Sequence, residues 1–298
     1  MKKMLFIVNP AAGQRKILRQ LAEVIGLFNQ AGFEVTVYMT AQPGDGKRLA
    51  REHCDRFELV VCAGGDGTLN EVISGLLEAG ADVPVGYLPC GSTNDFAATM
   101  KLPTGILQAA RVIVEGEPQA QDVGAFGDRY FTYVASFGAF TRTSYTTPQS
   151  VKNLLGHLAY WLEGIQELAQ LRPVHVRLEL EDEVVEDEFL FGAISNSRVV
   201  GGVLTLNHRQ VDLRDGQFEL LLVRMPRDRN ELRECILALR DQNYDCGSIT
   251  FRSVSCLTAY PEPGLSWSLD GERCDWKESI EIRNLHRAVR IIRQKEEL

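Results

Sequence analysis

The stretch VVCAGGDGTLNEV, Val60 to Val72, sets Gly64, Gly65 and Gly67 around Asp66 where an apolar run ends and a helical pattern begins. In an open α/β sheet that is the place where ligands bind. Glycines let the main chain approach an anion closely, and the first amides of the following helix, at Thr68 to Asn70, point at it. The bend suits a phosphate, although glycines punctuate strand-to-helix turns of every kind and a plain turn stays open. Asp66 is the informative residue. A carboxylate beside a polyphosphate is repelled unless a cation lies between them, so it implies Mg2+ or a proton-transfer task. Neither a G-x-x-x-x-G-K-[ST] run nor a G-x-G-x-x-G after the first strand occurs, which disfavours a P-loop or a Rossmann cofactor site.

Two further stretches follow strand-like runs of the same half: NPAAG (Asn9 to Gly13) and PCGSTNDFA (Pro89 to Ala97). In a parallel sheet all strand C-termini lie along one edge, so these loops are expected to converge on the glycine bend. The second half offers WSLDGERCDW. Standing alone, its Asp270-Gly271-Glu272 reads as a hairpin turn more often than as a catalytic element, and something beyond local pattern must raise it.

The elements that must carry these loops are legible as rhythm. Up to about Glu117, short apolar runs (MLFIV, FEVTVYMT, LVVCAG, VPVGYLP) alternate with helical stripes such as Ile17, Leu18, Leu21, Val24, Ile25 and Phe28, or Leu69, Val72, Ile73, Leu76 and Leu77 with Gly80 as a C-terminal cap. This half is expected to be a parallel sheet covered by helices. From about Arg129 the pattern becomes period two, as in Val174, Val176, Leu178 and Leu180, EFLFGAIS, GQFELLLV, SITFRSVSCLTAY and SIEIRNL, which predicts an antiparallel β-domain. Glu115 to Asp128, with its glycines, proline and charges, is expected to link the two. Apolar stripes over Val151 to Leu168 and over Asn230 to Gln242 predict helices packed on the β half.

Length and composition bound the answer. The 298 residues, 45% hydrophobic and 24% charged, suit about two soluble domains. A net charge of −8 with no Lys/Arg run longer than two argues against nucleic acid as a partner. No stretch reaches the roughly 18 apolar residues a membrane span needs, so membrane contact is expected to be peripheral. The seven cysteines, scattered and never in a C-x-x-C pair, fit a reducing cytoplasm better than disulfides or a zinc site.

Taken together, NPAAG, GGDGTLNEV, GSTNDFA, the DVG at Asp122, SNSRVVGG (Ser195 to Gly202), LRDGQFEL (Leu213 to Leu220) and LDGE resemble the bacterial diacylglycerol kinase catalytic-domain family, soluble lipid kinases related to sphingosine and ceramide kinases. The resemblance spans nearly the whole chain. It implies an α/β N-terminal domain of the NAD-kinase and phosphofructokinase type (1–125, with the tail 287–298 returning to it) and a β-rich lipid-substrate domain (126–286), the lipid headgroup lying in the cleft between them. Carried over by motif, Asn9, Pro10, Gly13, Thr40, Gly64, Gly65, Asp66, Gly67, Thr68, Leu69, Asn70 and Ser92 would contact ATP. Asp66, Asp95 and Asp122 would form an acidic network linked to Mg2+, and Glu272 would be the general base. Asp215, with the carbonyls of Asp212 and Gln217, would hold a structural metal. The sequence departs from the family at Ser92, where threonine is usual, and at Leu206 to Gln210, where LNHRQ replaces P-x-A.

The function this implies is ATP-dependent phosphorylation of a lipid hydroxyl such as that of diacylglycerol, by a cytoplasmic protein meeting its lipid at a membrane surface. A homodimer is an open alternative to a monomer. Arg142, Lys152, Arg198, His208 and Arg209 are candidates for a basic rim facing that membrane. Two other functions remain open: a kinase of a soluble acceptor such as NAD, and a nucleotide-binding regulator without catalysis.

Overall fold

A computed structural model describes residues 1–138, 172–197, 199–200, 204–205, 214–275 and 278–295. The expected helix over Val151 to Leu168 and all five candidates for a basic rim lie outside the described residues. The chain divides into two compact units, one made of Met1–Asp122 with Arg287–Leu298 and the other of Val123–His286.

In the first unit β1 (Lys2–Val8), β2 (Phe33–Met39), β3 (Leu59–Gly64) and β4 (Val85–Pro89) form a parallel sheet in the order β4-β3-β1-β2. Met4 to Val8 and Val60 to Ala63 have no exposed surface, as expected for strands covered on both faces. The covering helices are α1 (Lys16–Gln30), α2 (Asp45–His53), α3 (Asp66–Glu78), α4 (Asp95–Thr99) and α5 (Ile106–Glu115). Ile17, Val24 and Phe28 of α1 join Ala110 and Ile113 of α5 over Phe6, Val8, Val61 and Leu88 in one core. The Gly80 cap is present: at φ +62 it donates to Leu77 O (3.1 Å) while Ala81 donates to Leu76 O (3.0 Å), which closes the last turn of α3.

The second unit is antiparallel. Its strands are β6 (Arg129–Phe131), β7 (Val134–Gly138), β8 (Val174–Glu179), β9 (Val184–Ser195), β12 (Phe218–Arg224), β13 (Ile249–Val254), β14 (Cys256–Pro261), β15 (Ser266–Leu269) and β16 (Glu272–Asp275), with a small separate pair, β10 (Val199–Val200) and β11 (Leu204–Thr205). The order β16-β15-β7-β9-β8-β14 is continued by β17 (Ile280–Arg293), and β12 pairs with both β9 and β13. Aromatic rings fill the core: Trp267 meets Phe126 and Phe137 edge-on with centroids 5.1 and 4.8 Å apart. The helix expected near Asn230 is α6 (Arg229–Arg240), capped by Asp228, whose side chain accepts the Asn230 and Glu231 amides.

One sequence reading is refined. Glu115 to Asp128 does carry the passage from the first unit to the second, at Asp122–Val123, but as a strand and not a loop: β5 (Glu117–Phe126) pairs with β6 and β17. Its last six residues, Gln121 to Phe126, are all buried. Gly124 is there because the Phe131 ring covers it: a Cβ would lie 2.1 Å from Phe131 Cζ. The glycine that suggested a loop is a packing residue. The real turn is only Gly127-Asp128, between the paired Phe126 and Arg129.

Candidate active site

In the first unit the four parallel strands end along one edge, and the loops after β1, β2 and β4 each begin with one more rung of the ladder. Asn9 N–H donates to Ala63 O (2.8 Å), Thr40 N–H to Val8 O (2.9 Å) and Cys90 N–H to Gly64 O (2.7 Å). The NPAAG, GGDG and GSTND loops therefore touch, and glycines make the contact possible. A Cβ on Gly91 would stand 2.6 Å from the Gly65 Cα, and one on Gly13 would stand 1.6 Å from the Cys90 carbonyl oxygen. Gly13 also has φ +47, and Gln14 and Arg15 follow at +58 and +60. Gly13 adopts this conformation freely, whereas the left-handed Gln14 and Arg15 carry strain of the kind that concentrates at functional sites. Gly13→Ala is expected to cost about 2 kcal/mol or more, because the side chain must displace main chain in a conformation it disfavours. Denaturant unfolding would read this, and a midpoint equal to the parent's would refute it.

The helix beyond the bend starts earlier than the sequence suggests. Gly65 is the N-cap of α3 and no side chain caps it, so the first-turn amides that lack intrahelical carbonyl partners include those of Gly67 and Thr68. Leu69 is corrected on this ground. Its N–H is given to Gly65 O (3.1 Å) and its side chain is fully buried, so neither is offered to a ligand. Asn70 accepts from the Ser74 hydroxyl (3.3 Å), and Thr68 Oγ1 accepts Asn9 Nδ2 (3.0 Å), which ties the first loop to the helix. Pro10 follows Asn9 in that loop, and Ser92 is exposed in the GSTND loop.

Asp66 joins the bend to the GSTND loop: its two oxygens accept the Asp95 and Phe96 amides (3.0 and 3.2 Å), capping α4. Asn94, left-handed at φ +56, closes that loop on itself by accepting Gly91 N–H (2.8 Å) and donating to Gly91 O (3.0 Å). Asp122 is fully buried, and its carboxylate accepts the Arg287 N–H (2.7 Å) where the chain re-enters the first unit. Asp66 and Asp95 are thus brought together, while Asp122 is held at the chain's return. Among the described residues no group of three His, Cys, Asp or Glu could hold a metal. Burial pushes the neighbouring Cys90 thiol up to about 11, against the opposing charge of Lys16, so this sulfur stays protonated and is no nucleophile at neutral pH.

Glu71 and Asp45 had no signal in the sequence. Glu71 reaches from α3 to the loop after β2, its two oxygens accepting Gly44 and Gly46 amides (2.7 and 2.9 Å). Asp45 accepts Ala41 and Gln42 amides in the same loop (2.8 and 3.1 Å); the Ala41 bond, then the Arg48 guanidinium, hold its carboxyl below the usual value. Together they fix the stretch that begins at Thr40.

In the second unit Asp270 and Gly271, at φ +50 and +84, are the two-residue turn of the β15–β16 hairpin, and Glu272 is the exposed first residue of β16. At Asp215 the described residues form an Asx turn. Its Oδ1 accepts the Gln217 N–H (2.9 Å), and the Gln217 carbonyl accepts Asn284 Nδ2 (2.9 Å). Asp212 lies outside the described residues.

Comparison with known proteins follows the same lines. A model of the diacylglycerol kinase catalytic domain matches residues 3–126. The diacylglycerol kinase of Bacillus subtilis is 32% identical over 99% of this chain and 98% of its own, and that of Staphylococcus saprophyticus is 32% identical over 91% of this chain and 89% of its own. Two solved structures from Bacillus anthracis share the fold: one provisionally described as a diacylglycerol kinase (TM-score 0.80, 22% identity, covering 98% of this chain and 95% of that one) and one described as a diacylglycerol kinase (0.74, 20%, 98% and 97%). With a glycine-lined sheet edge, an uncapped helix start and near full-length similarity to such kinases, the chain belongs to the bacterial diacylglycerol kinase catalytic-domain family.

Proposed function

We propose that this kinase transfers the γ-phosphoryl group of ATP to the hydroxyl of diacylglycerol or a similar lipid. The observation that carries the reading is the meeting of three glycine-bearing loops beside the uncapped start of α3, an arrangement of backbone amides fitted to phosphate. Membership in a kinase family supports reading that phosphate site as one for ATP.

In this reading the amides at Asp66 to Thr68, with Gly64, Gly65 and the Asn9 to Gly13 loop, cradle the phosphates, and Thr40 and Ser92 flank the nucleotide. Bound with it, Mg2+ would neutralise charge on the phosphoryl group in flight. Carboxylates suit that ion, which keeps most of its water and takes one or two acidic partners. Asp66 and Asp95, joined through the Asp95 amide, would belong to the proposed network with Asp122. Glu272 removes the acceptor's hydroxyl proton as that oxygen forms its bond to the γ-phosphorus and the bond to the bridging oxygen of ADP breaks. For the structural cation, Asp215, Asp212 and Gln217 offer only oxygens, the donor a hard ion requires. Asp215 Oδ1 already accepts the Gln217 N–H and the Gln217 carbonyl accepts Asn284 Nδ2, so a cation would share these oxygens with their hydrogen bonds.

Work at a membrane surface from the cytoplasm belongs to the same reading. Its support is that no helix among the described residues is long and apolar enough to cross a bilayer, while the substrate's hydrocarbon chains reside in one. The test is labelled ATP with Mg2+ and mixed micelles of diacylglycerol, phosphatidylglycerol or a sphingoid base, with NAD in a separate arm, followed by chromatography. A labelled lipid is the expected product. Labelled NAD alone would make the acceptor soluble, and no labelled product with intact nucleotide binding would make the chain a regulator.

A further inference from the structure

Asp270 stands two residues before Glu272 and has no part in the chemistry above. As the first residue of a two-residue hairpin turn it occupies a position whose polar side chain commonly faces water. Here it is 7% exposed. Its carboxylate accepts four hydrogen bonds: the Thr132 N–H (2.6 Å) and hydroxyl (2.8 Å) on one oxygen, and the Tyr133 and Val134 amides (3.0 and 3.1 Å) on the other. Its own N–H returns to the Val134 carbonyl (2.9 Å).

The bend it grips joins β6 to β7 and is held from another side as well. The Tyr133 carbonyl accepts the Asn196 N–H (3.0 Å) and the Ser195 hydroxyl (3.2 Å). The hairpin's strands are four residues each: β15 pairs with β7 from Trp267–Phe137 to Leu269–Ala135, whereas β16 pairs with β15 alone among the described strands, so the side of the tip that carries Glu272 has no second neighbouring strand. Glu272 is exposed and its side chain makes no hydrogen bond or ion pair among the described residues, so its place is set by its backbone, which pairs with Leu269.

We propose that Asp270 is a positioning residue: by gathering three amides and a hydroxyl of Thr132 to Val134 it fixes the hairpin tip, and through the tip the place from which Glu272 takes its proton. The role rests on the reading of Glu272 as general base. Asp270 itself touches neither substrate nor reacting atoms.

Asp270→Asn keeps one acceptor oxygen but turns an NH2 group against backbone N–H groups, so the tip should shift without the unit unfolding. A misplacement of about 1 Å is enough to cost on the order of 100-fold in rate. The expected result is kcat lower by about 30- to 100-fold with the KM for ATP within about twofold of the parent, since the nucleotide loops are not involved. The decisive readout is a double-mutant cycle followed with labelled ATP. If Asp270 acts through Glu272, then Asp270→Asn placed on Glu272→Gln should lower the residual rate by less than about threefold. Thr132→Val, which removes one donor at nearly constant volume, provides the same cycle should the asparagine variant fail to fold; its expected loss is about three- to fivefold, again vanishing on Glu272→Gln. A full Asp270→Asn loss on top of an already slow Glu272→Gln overturns the positioning role alone. Near-parental turnover by Glu272→Gln overturns the base assignment and this role with it.

Discussion

Glu272→Gln is expected to fold and bind nucleotide as the parent does while losing turnover by a factor of about 10^2 to 10^4, the usual worth of a positioned general base. The change is isosteric and replaces only the carboxylate with an amide. It falls on an exposed residue at the start of β16, where the backbone pairing of Glu272 with Leu269 does not depend on the side chain. Surface substitutions of this kind shift stability by no more than about 0.5 kcal/mol. A loss of rate at unchanged melting temperature and unchanged nucleotide affinity would therefore be chemical in origin. Turnover of the labelled lipid within threefold of the parent would remove Glu272 from the mechanism.

Asp66→Ala is the second substitution with a large expected effect, and it should act at two levels. Structurally, the Asp95 and Phe96 amides lose their acceptors, which costs about 1–2 kcal/mol and frays the five-residue α4. Chemically, the proposed role of Asp66 toward a nucleotide-borne cation is removed, and the rate is expected to fall at least about 100-fold, the order typical of a lost electrostatic contact at a transferring group. Asp66→Asn separates the two levels, because it keeps one acceptor oxygen for the helix but no charge. If the charge matters, the asparagine variant should melt closer to the parent than the alanine variant yet be comparably slow, with a weakened dependence of rate on Mg2+. A magnesium titration with the parent's midpoint and plateau in both variants would count against any link between Asp66 and the ion.

How far the sequence alone reaches depends on the distance over which each feature is determined. The helices α1 and α3 and the strands β1 to β3 announce themselves because a period of 3.6 or an unbroken apolar run is a local property. Two helices stay hidden for the same reason. Leu49 and Ala50 are the only core hydrophobics of α2, and α4 is too short to show a period at all. β5 misleads because its glycine answers to a ring seven positions on, not to a turn. At the site, the convergence of three loops follows from parallel strands and could be foreseen. The bonds that hold them could not: Asp66 reaches an amide 29 residues away, Glu71 one 27 residues away, and Asp270 one 138 residues away. The Asp270-Gly271 pair does read locally as a turn, and it is one. Nothing in its neighbours says that the aspartate turns inward.

The return of the chain's end to its beginning carries a consequence for biosynthesis. Ile291 of β17 lies beside Val85 of β4, and Gly116 packs so close to the Arg293 carbonyl that a Cβ there would be 2.2 Å away. The first 122 residues consequently leave the ribosome with one flank of their sheet bare, and it stays bare until residues 287–293 have been translated. At the usual pace of elongation that interval is on the order of ten seconds or more. A nascent chain stalled just short of residue 287 should be cut by protease at its N-terminal half far more readily than one stalled after residue 298 has cleared the exit tunnel.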